Sequence, residues 1–509
     1  MKSKSAYRLV RTGSRNLAIA IVSLLAANAA HADSTTWTGT TDALWATLTN
    51  WSGSPVAVPG TGDTATFDSA GGAIDTISLG AGVTLNTLLF DTASAAAYTI
   101  GSGAVNSETL TLDNSGAVTV NSTVAYSQLL NAAFILGNDG TTQAFTLTNN
   151  SLVGGLTFAG TLTGSAGAGV KTIVVAGGGA TSLSGIIANG ASGGSVNLTK
   201  SGTGRLTLSA NNSYTGLTTL NAGVLRATSN ANALGTGAAT LTLAGGNLQL
   251  ANDSGLNFAR NTTVSANTVI TADRLTAGAG QTHTLGTLAL GANTLSIAPG
   301  AFVSSGTAGM TFGATTLSGA PTLSLGYGTL LTLGAITDAG NTLTLQGGGN
   351  FAQGAAWASG TAGGLTLDTS YRGTATLNQA NTFTGNITLK NGTLAANGNA
   401  GALGAGALDL QGGILDFNHS AGLNFGRNTT VNANATIISE KNAAGAGVTY
   451  TLGTLNMNGA YALTVRGGNV NSGTAGLTFG ATTLNGNSVI DTWNPTVGSS
   501  ASRCPATSC

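Results

Sequence analysis

Apolar residues recur along most of the chain in the triplet Leu-x-Leu. Alternate side chains of a strand point to the same face, so both leucines face a core and the middle residue faces solvent. The pattern predicts many short strands with one buried face. Its clearest examples are Leu110/Leu112, Leu206/Leu208, Leu241/Leu243, Leu248/Leu250, Leu288/Leu290, Leu323/Leu325, Leu343/Leu345, Leu365/Leu367 and Leu408/Leu410.

Triplets also occur in pairs whose first residues are seven positions apart, as in residues 241–250 and 288–297. Each pair predicts a strand, a tight Gly/Asn bend and a second strand. Three such sides would close a coil of about 21 residues, which lies within the range of solenoid repeats.

A longer repeat indicates that the chain is internally duplicated. Residues 254–264 return at 421–431, and residues 305–317 return at 472–484, both at an offset of 167, whereas 213–216 returns at 382–385 with an offset of 169. The two copies extend over about 206–323 and 375–490. Near-identical segments stack in parallel register more naturally than they close a barrel.

The predicted fold is therefore all-β, a right-handed parallel β-helix of about 20 coils. A sandwich or closed barrel of antiparallel hairpins is the alternative, and the uniform texture of the chain disfavours it. With strands ~4.8 Å apart, such a stack forms a rod on the order of 100 Å long. We expect the solenoid at 71–490, an N-terminal cap at 33–70 and a disordered tail at 491–509.

The cap prediction depends on aromatic residues. Trp37, Trp45, Trp51 and Phe67 lie close together in a chain with only five Trp. Covering the first coil is the favoured role of these side chains, above that of a carbohydrate-binding aromatic platform.

Residues 1–32 have the pattern of a cleaved signal peptide. Five basic residues precede an apolar run at 17–27, and Ala30 and Ala32 occupy the small-residue positions before a cleavage site at Asp33. The run is shorter than the ~20 residues that span a bilayer, so we expect no membrane span in the mature chain.

Composition and charge disfavour several classes of protein. With 78 Gly and only 7% charged residues, the chain resembles neither a disordered nor a helical protein. Cleavage would leave 12 basic and 17 acidic residues, which disfavours nucleic acid as a partner. The only cysteines, Cys504 and Cys509, provide no disulfide framework, and whether they pair is open.

Residues 198–225 carry a specific motif and resemble the autotransporter-associated β-strand repeat. Residues 375–394 resemble a second, degraded copy, with Phe383 in place of the tyrosine. The resemblance implies a β-helical passenger that is exported and then displayed at the cell surface, held at the outer membrane or released. The motif residues are Lys200, Gly202, Gly204, Leu206, Leu208, Tyr214, Thr215, Gly216, Asn221, Gly223 and Leu225.

The chain departs from that family at its end. An autotransporter normally carries its own outer-membrane barrel, but alternating ten-residue strands with girdling aromatics are not visible after Leu484. A translocator encoded elsewhere and a truncated gene both explain the difference.

No catalytic, cofactor or metal site is predicted. The acids are scattered, with no Asp-Asp or Asp-x-Asp pair. Ser254 reads as a turn residue rather than a nucleophile, and the mature histidines, His283 and His419, read as surface positions. Arg260 and its copy Arg427 read as structural charges at bends. The glycine runs at 177–179 and 347–349 read as turns.

These observations favour a non-enzymatic structural or adhesive protein that contacts surfaces, matrix or other cells. Low charge also favours self-association of rods, since little repulsion opposes it. A carbohydrate-active enzyme on a β-helix scaffold and a passenger fragment without independent function are the alternatives.

Overall fold

The computed structural model describes residues 33–493 and 502–505. The predicted signal peptide, with its cleavage residues Ala30 and Ala32, lies outside the described residues, as does most of the predicted tail. Within the described part, the only helices are two short 3-10 turns at Leu48–Asn50 and Gly71–Ala73. None of its helices has the length and apolar character needed to cross a membrane.

Three large sheets form the sides of the molecule. The first runs from the N-terminal end through two thirds of the chain. Its strands are Ser34–Trp37, Trp51–Ser52, Thr64–Phe67, Val83–Phe90, Thr109–Val120, Ala133–Leu136, Gln143–Asn149, Leu162–Gly164, Lys171–Ala176, Ile187–Ala188, Val196–Lys200, Thr218–Leu220, Leu241–Leu243, Thr262–Val264, Leu288–Leu290, Thr315–Leu317 and Ile336–Thr337.

The second sheet extends along nearly the whole described chain, with one strand for each coil. Its strands are Thr76–Ile77, Thr99–Ile100, Gln128–Leu130, Leu156–Phe158, Thr181–Leu183, Arg205–Leu208, Val224–Thr228, Asn247–Ala251, Thr268–Asp273, Thr294–Pro299, Thr322–Leu325, Leu343–Gly347, Leu365–Leu367, Ile387–Leu389, Leu408–Leu410, Thr429–Val431, Leu455–Asn458 and Thr482–Asn485.

The third sheet begins in the second half of the chain, and two further strand pairs lie beside the sheets. The pairs are Gly278–Ala279 with Val303–Ser305 and Thr449–Thr451 with Gly476–Thr478. The strands of the third sheet are Thr282–Thr284, Ala308–Phe312, Thr329–Leu333, Asn350–Gln353, Thr374–Leu377, Thr393–Asn397, Ile414–Asn418, Ala435–Ala446, Ala462–Ser472, Val489–Trp493 and Ser502–Pro505.

Successive coils pair in parallel and in register, so equivalent side chains stack along the axis. Leu248 pairs with Ile270, Ile270 with Ile297 and Ile297 with Leu325, and all four side chains are buried. The buried residues form one continuous core inside the sheets. The predicted all-β fold, a parallel β-solenoid, is confirmed.

The predicted count of about 20 coils is too high. The stack has about 17 turns, and the second sheet runs from Thr76 to Thr482, so a coil takes about 24 residues. Coil length varies because the turns between strands differ in length. The coil from Thr99 to Gln128 takes 29 residues, whereas that from Thr322 to Leu343 takes 21 although it includes a strand of the third sheet.

The duplicated sequence does not repeat on the same side of the rod. Thr218–Leu220 lies in the first sheet, whereas its copy Ile387–Leu389 lies in the second. Likewise Val224–Thr228 lies in the second sheet and its copy Thr393–Asn397 in the third. Equivalent residues of the two copies therefore face different directions.

Aromatic side chains close the N-terminal end. Trp37, Trp45 and Trp51 are buried, and the ring centroids of Trp45 and Trp51 are 4.7 Å apart. The indole nitrogen of Trp45 donates to the carbonyl of Pro59 at 3.0 Å, which satisfies a buried polar group. Ser34–Trp37 also pairs antiparallel with Trp51–Ser52, so this end of the first sheet departs from the parallel stack.

At the other end, Val489–Trp493 pairs antiparallel with Ser502–Pro505. Apolar residues of this last part, including Leu477, Leu484 and Ile490, are only partly buried against the core.

Candidate ligand groove on the third sheet

The motif lysine is a buried structural residue. Lys200 ends the strand Val196–Lys200 and is 2% exposed. Its Nζ donates to the carbonyl of Gly202 and, at 3.5 Å, to that of Ala222. Burial lowers the pKa of Lys200 to about 8. The side chain therefore links two turns that lie one above the other.

The motif glycines are required by close backbone contact. A Cβ on Gly202 would lie 2.2 Å from the carbonyl oxygen of Gly177, and a Cβ on Gly204 would lie 2.2 Å from that of Gly179. Any side chain there would separate the coils. The glycine run at 177–179 is thus a turn, as predicted, and carries the next turn on top of it.

The other motif residues also pack in the core or form hydrogen bonds that hold the coils together. Leu206, Leu208 and Leu225 lie in the core, Gly223 has a φ of +69°, and Gly216 packs against the backbone of Val196. The buried Tyr214 hydroxyl lies 2.8 Å from Thr218 Oγ1. Thr215 Oγ1 accepts a bond from Asn189, and the Asn221 amide N–H donates to the Lys200 carbonyl at 2.8 Å.

The two repeated arginines differ in environment. Arg260 is 1% exposed and donates to the carbonyls of Thr236 at 2.8 Å and Gly216 at 3.1 Å. Its copy Arg427 donates to the carbonyl of Phe425, two residues away. Both contacts are with backbone at bends, as the predicted structural role requires.

One histidine was assigned to the wrong environment. His283 is fully buried, its Nε2 lies 2.9 Å from the Asp273 carbonyl, and its Nδ1 accepts the Leu256 amide proton. Burial lowers its pKa. Ser254 lies in a turn as predicted, with its amide and hydroxyl bonded to Asn252 Oδ1.

A row of asparagines runs along the outer face of the third sheet. Asn397 pairs with Asn418, and Asn418 pairs with Glu440, while Asn378 follows the preceding strand of the stack. Each residue comes at the end of its strand, where it alternates with a buried neighbour and so points outward. The solenoid thereby spaces these side chains ~4.8 Å apart along its axis.

These side chains border a cavity of about 380 Å³, here called the amide groove. It is lined by Asn378, Asn397, Gly398, Asn418, His419 and Asn442. Asparagine offers two donors and a carbonyl acceptor, so the groove can exchange hydrogen bonds of both kinds with a polar ligand.

Much of this hydrogen-bonding capacity is unused. Asn418 Oδ1 is buried without a partner among the described residues. Within the same part of the chain, the side-chain amides of Asn397, which is partly exposed, and Asn442, which is exposed, bond to no other protein group and are open to solvent. Buried polar groups are normally satisfied, so Asn418 Oδ1 requires an explanation.

Two carboxyl groups, here called the carboxylate pair, lie beside the groove. Burial and the Glu440 charge raise the pKa of Asp416 to about 7, although Arg466 opposes the shift. Burial also raises the pKa of Glu440, against Arg466 and a 2.8 Å bond donated by Asn418 Nδ2. Perturbed carboxyl groups at a cavity are typical of functional sites.

The corresponding place in the first copy is closed. Gln249 stands where the second copy has Asp416, and its Nε2 donates to Asp273 Oδ2 at 2.7 Å. The other oxygen of Asp273 accepts the Phe302 amide proton at 3.0 Å, and Asp273 is 1% exposed. The groove and the carboxylate pair therefore belong to the second copy alone.

Sequence reasoning missed both features because it searched for acids that are near in sequence. Asp416 and Glu440 are brought together by one turn of the solenoid. A usable signal was present for the amides, since Asn378, Asn397 and Asn418 each follow a buried apolar residue at about one coil's spacing. No group of three potential metal ligands occurs in the described part, and the prediction that the chain is not an enzyme stays a prediction.

A protein-family model matches two segments of the stacked coils. The passenger-associated-transport-repeat model matches residues 198–227 and 370–396. The chain carries two passenger-associated transport repeats. This confirms the resemblance drawn from Lys200 to Leu225 and extends the second repeat beyond residues 375–394. No curated protein and no solved structure matches the chain.

Passenger-associated transport repeats and a β-solenoid together are the features of a passenger-type domain, and such a repeat implies an exported protein. The second matched segment, residues 370–396, contains Asn378 of the amide groove, and Asn397 follows it directly.

Proposed function

We propose that this protein is a non-enzymatic adhesive passenger, displayed at or released from the cell surface, which contacts surfaces, matrix or other cells through the amide groove. The observation that carries the proposal is the amide groove, in which Asn418 Oδ1 is buried without a partner among the described residues and the solvent-accessible Asn397 and Asn442 present their side-chain amides. The rod supports this role because its stacked coils hold the groove rigidly.

The remaining surface also favours contact over catalysis. Only 7% of residues are charged, so little like-charge repulsion opposes approach to a surface or side-by-side packing of rods. A translocator encoded elsewhere is proposed as the partner that carries the passenger across the outer membrane.

The test is adhesion of the full chain. Polymer beads coated with the purified protein should be retained under flow on cell or matrix surfaces, whereas beads coated with the heat-unfolded protein should wash off. Equal retention of the two bead types would contradict an adhesive role. Sedimentation at increasing protein concentration measures self-association separately.

A carbohydrate-active enzyme is the second candidate, and the carboxylate pair favours it. A carboxyl group with a raised pKa can donate a proton to a leaving oxygen while a second carboxylate assists. Reducing ends released from polysaccharides by the wild type, and not by Asp416→Asn or Glu440→Gln, would establish this activity and contradict the non-enzymatic proposal.

A further inference from the structure

Two parallel rows of side chains extend the amide groove along the rod. The first row contains Asn378, Asn397 and Asn418, and continues to Glu440. Gly468 follows Glu440 in register and leaves space for it, since a Cβ there would lie 2.2 Å from Glu440 Oε2.

The second row lies two positions earlier on the same strands. Asp416 pairs with Ile438, Ile438 with Arg466 and Arg466 with Trp493, and of these Ile438 is buried. Trp493 is 46% exposed and stands at the far end of the row. Six strands of the third sheet carry the two rows, from Thr374–Leu377 to Val489–Trp493, over about 24 Å.

We infer that the amide row, together with Arg466 and Trp493 of the second row, forms a binding track for a single chain of an unbranched, neutral, β-1,4-linked polysaccharide that lies parallel to the rod axis. The inference rests on the proposed adhesive function and names its ligand class. It places sugar hydroxyls on the amide row and the apolar face of a sugar on Trp493.

The chemistry of the rows matches such a ligand. Each asparagine can donate to one hydroxyl of a sugar and accept from the next, and Arg466 and the carboxylate pair add donors and acceptors. An exposed indole offers an apolar face with a polar edge. The charges of Asp416 and Glu440 are balanced in part by Arg466, so the track selects no strongly charged polymer.

The repeat of the ligand matches the repeat of the protein. Equivalent side chains recur every ~4.8 Å along the stack, so two coils cover ~9.6 Å, which is close to the two-sugar repeat of an extended β-1,4-linked chain. Successive sugars of such a chain are turned by about half a revolution, so equivalent hydroxyls meet every second coil. An α-1,4-linked chain forms a helix instead, so its hydroxyls no longer match the spacing of the side chains after a few sugars.

Calorimetry of the full chain with cellohexaose tests the inference. We expect saturable binding that is at least tenfold weaker for cellotriose and for maltohexaose, since both engage fewer strands. Asn397→Ala and Trp493→Ala should each lower affinity several-fold, and Asn397→Ala combined with Asn418→Ala at least tenfold. Asn138→Ala, at an exposed asparagine near the first sheet, is the matched control and should bind normally.

Absence of cellohexaose binding, or equal affinity for cellohexaose and maltohexaose, would overturn the inference. So would unchanged affinity in Asn397→Ala with unchanged circular dichroism. The bead assay separates this from failure of adhesion: beads that still adhere, and are not displaced by cellohexaose, contradict the polysaccharide track alone. Displacement by cellohexaose supports both proposals.

Discussion

Ionisation of Asp416 should destabilise the coils around the carboxylate pair. A carboxyl group whose pKa rises from 3.8 to about 7 on folding costs the folded state about 4 kcal/mol when it is ionised. The side chain is partly exposed, and solvent screening reduces this to about 1–2 kcal/mol. Asp416→Asn should recover that amount at pH 8.

The direction of the pH dependence of stability follows from the protons that Asp416 binds in the folded and unfolded states. Below about pH 4 the group is protonated in both states. Between about pH 4 and 7 the folded state keeps its proton while the unfolded state loses it, so stability falls as pH rises. Above about pH 7 the loss is complete. Asp416→Asn should therefore match the wild type at pH 4 and exceed it at pH 8.

Hydrogen exchange measured by mass spectrometry suits a solenoid, because local opening free energies differ along a repeat array. The strand Ile414–Asn418 should lose protection between pH 5 and 8, after correction for intrinsic exchange, and Asp416→Asn should abolish the loss. The equivalent strand Asn247–Ala251, which has Gln249 at this position, is the internal control. Equal pH dependence of the two wild-type strands would refute the reasoning.

Two further substitutions test the stack itself. Arg260→Ala leaves two backbone carbonyls without their donor and should destabilise its coils by about 1–3 kcal/mol, whereas Arg427→Ala, which loses a local contact, should cost less in denaturant unfolding. Trp37→Ala opens a cavity in the N-terminal cap and should lower the free energy of unfolding of the first coils by about 3–5 kcal/mol, measured by their susceptibility to proteolysis. Tyr126→Ala, at a residue 56% exposed, is the control and should change protection from proteolysis little.

The sequence was sufficient for the architecture because burial in a strand follows a local rule. Alternation of Leu with Thr or Ser placed one side chain in the core and the next outside, as in Leu206-Thr-Leu208, and these residues are buried as expected. The repeat motif was equally readable, since Gly202 and Gly204 fill positions where only glycine fits against the coil below.

Coil length was harder to predict, because turns tolerate insertions and their lengths differ from coil to coil. The environment of His283 was also wrong. Both His283 and Tyr450, the residue 167 positions later in the second copy, are buried and bonded to backbone carbonyls.

The sequence by itself determined the all-β class, the duplication, the aromatic cap residues and the passenger repeat, all of which depend on neighbours in the chain. Only the tertiary structure decided which residues of successive coils lie side by side. It rotated the second copy by one sheet, aligned Asn397 with Asn418, and brought Asp416 close to Glu440. The physical reason is register: in a solenoid, lateral neighbours are one coil apart in sequence, and the number of residues in a coil varies along the stack.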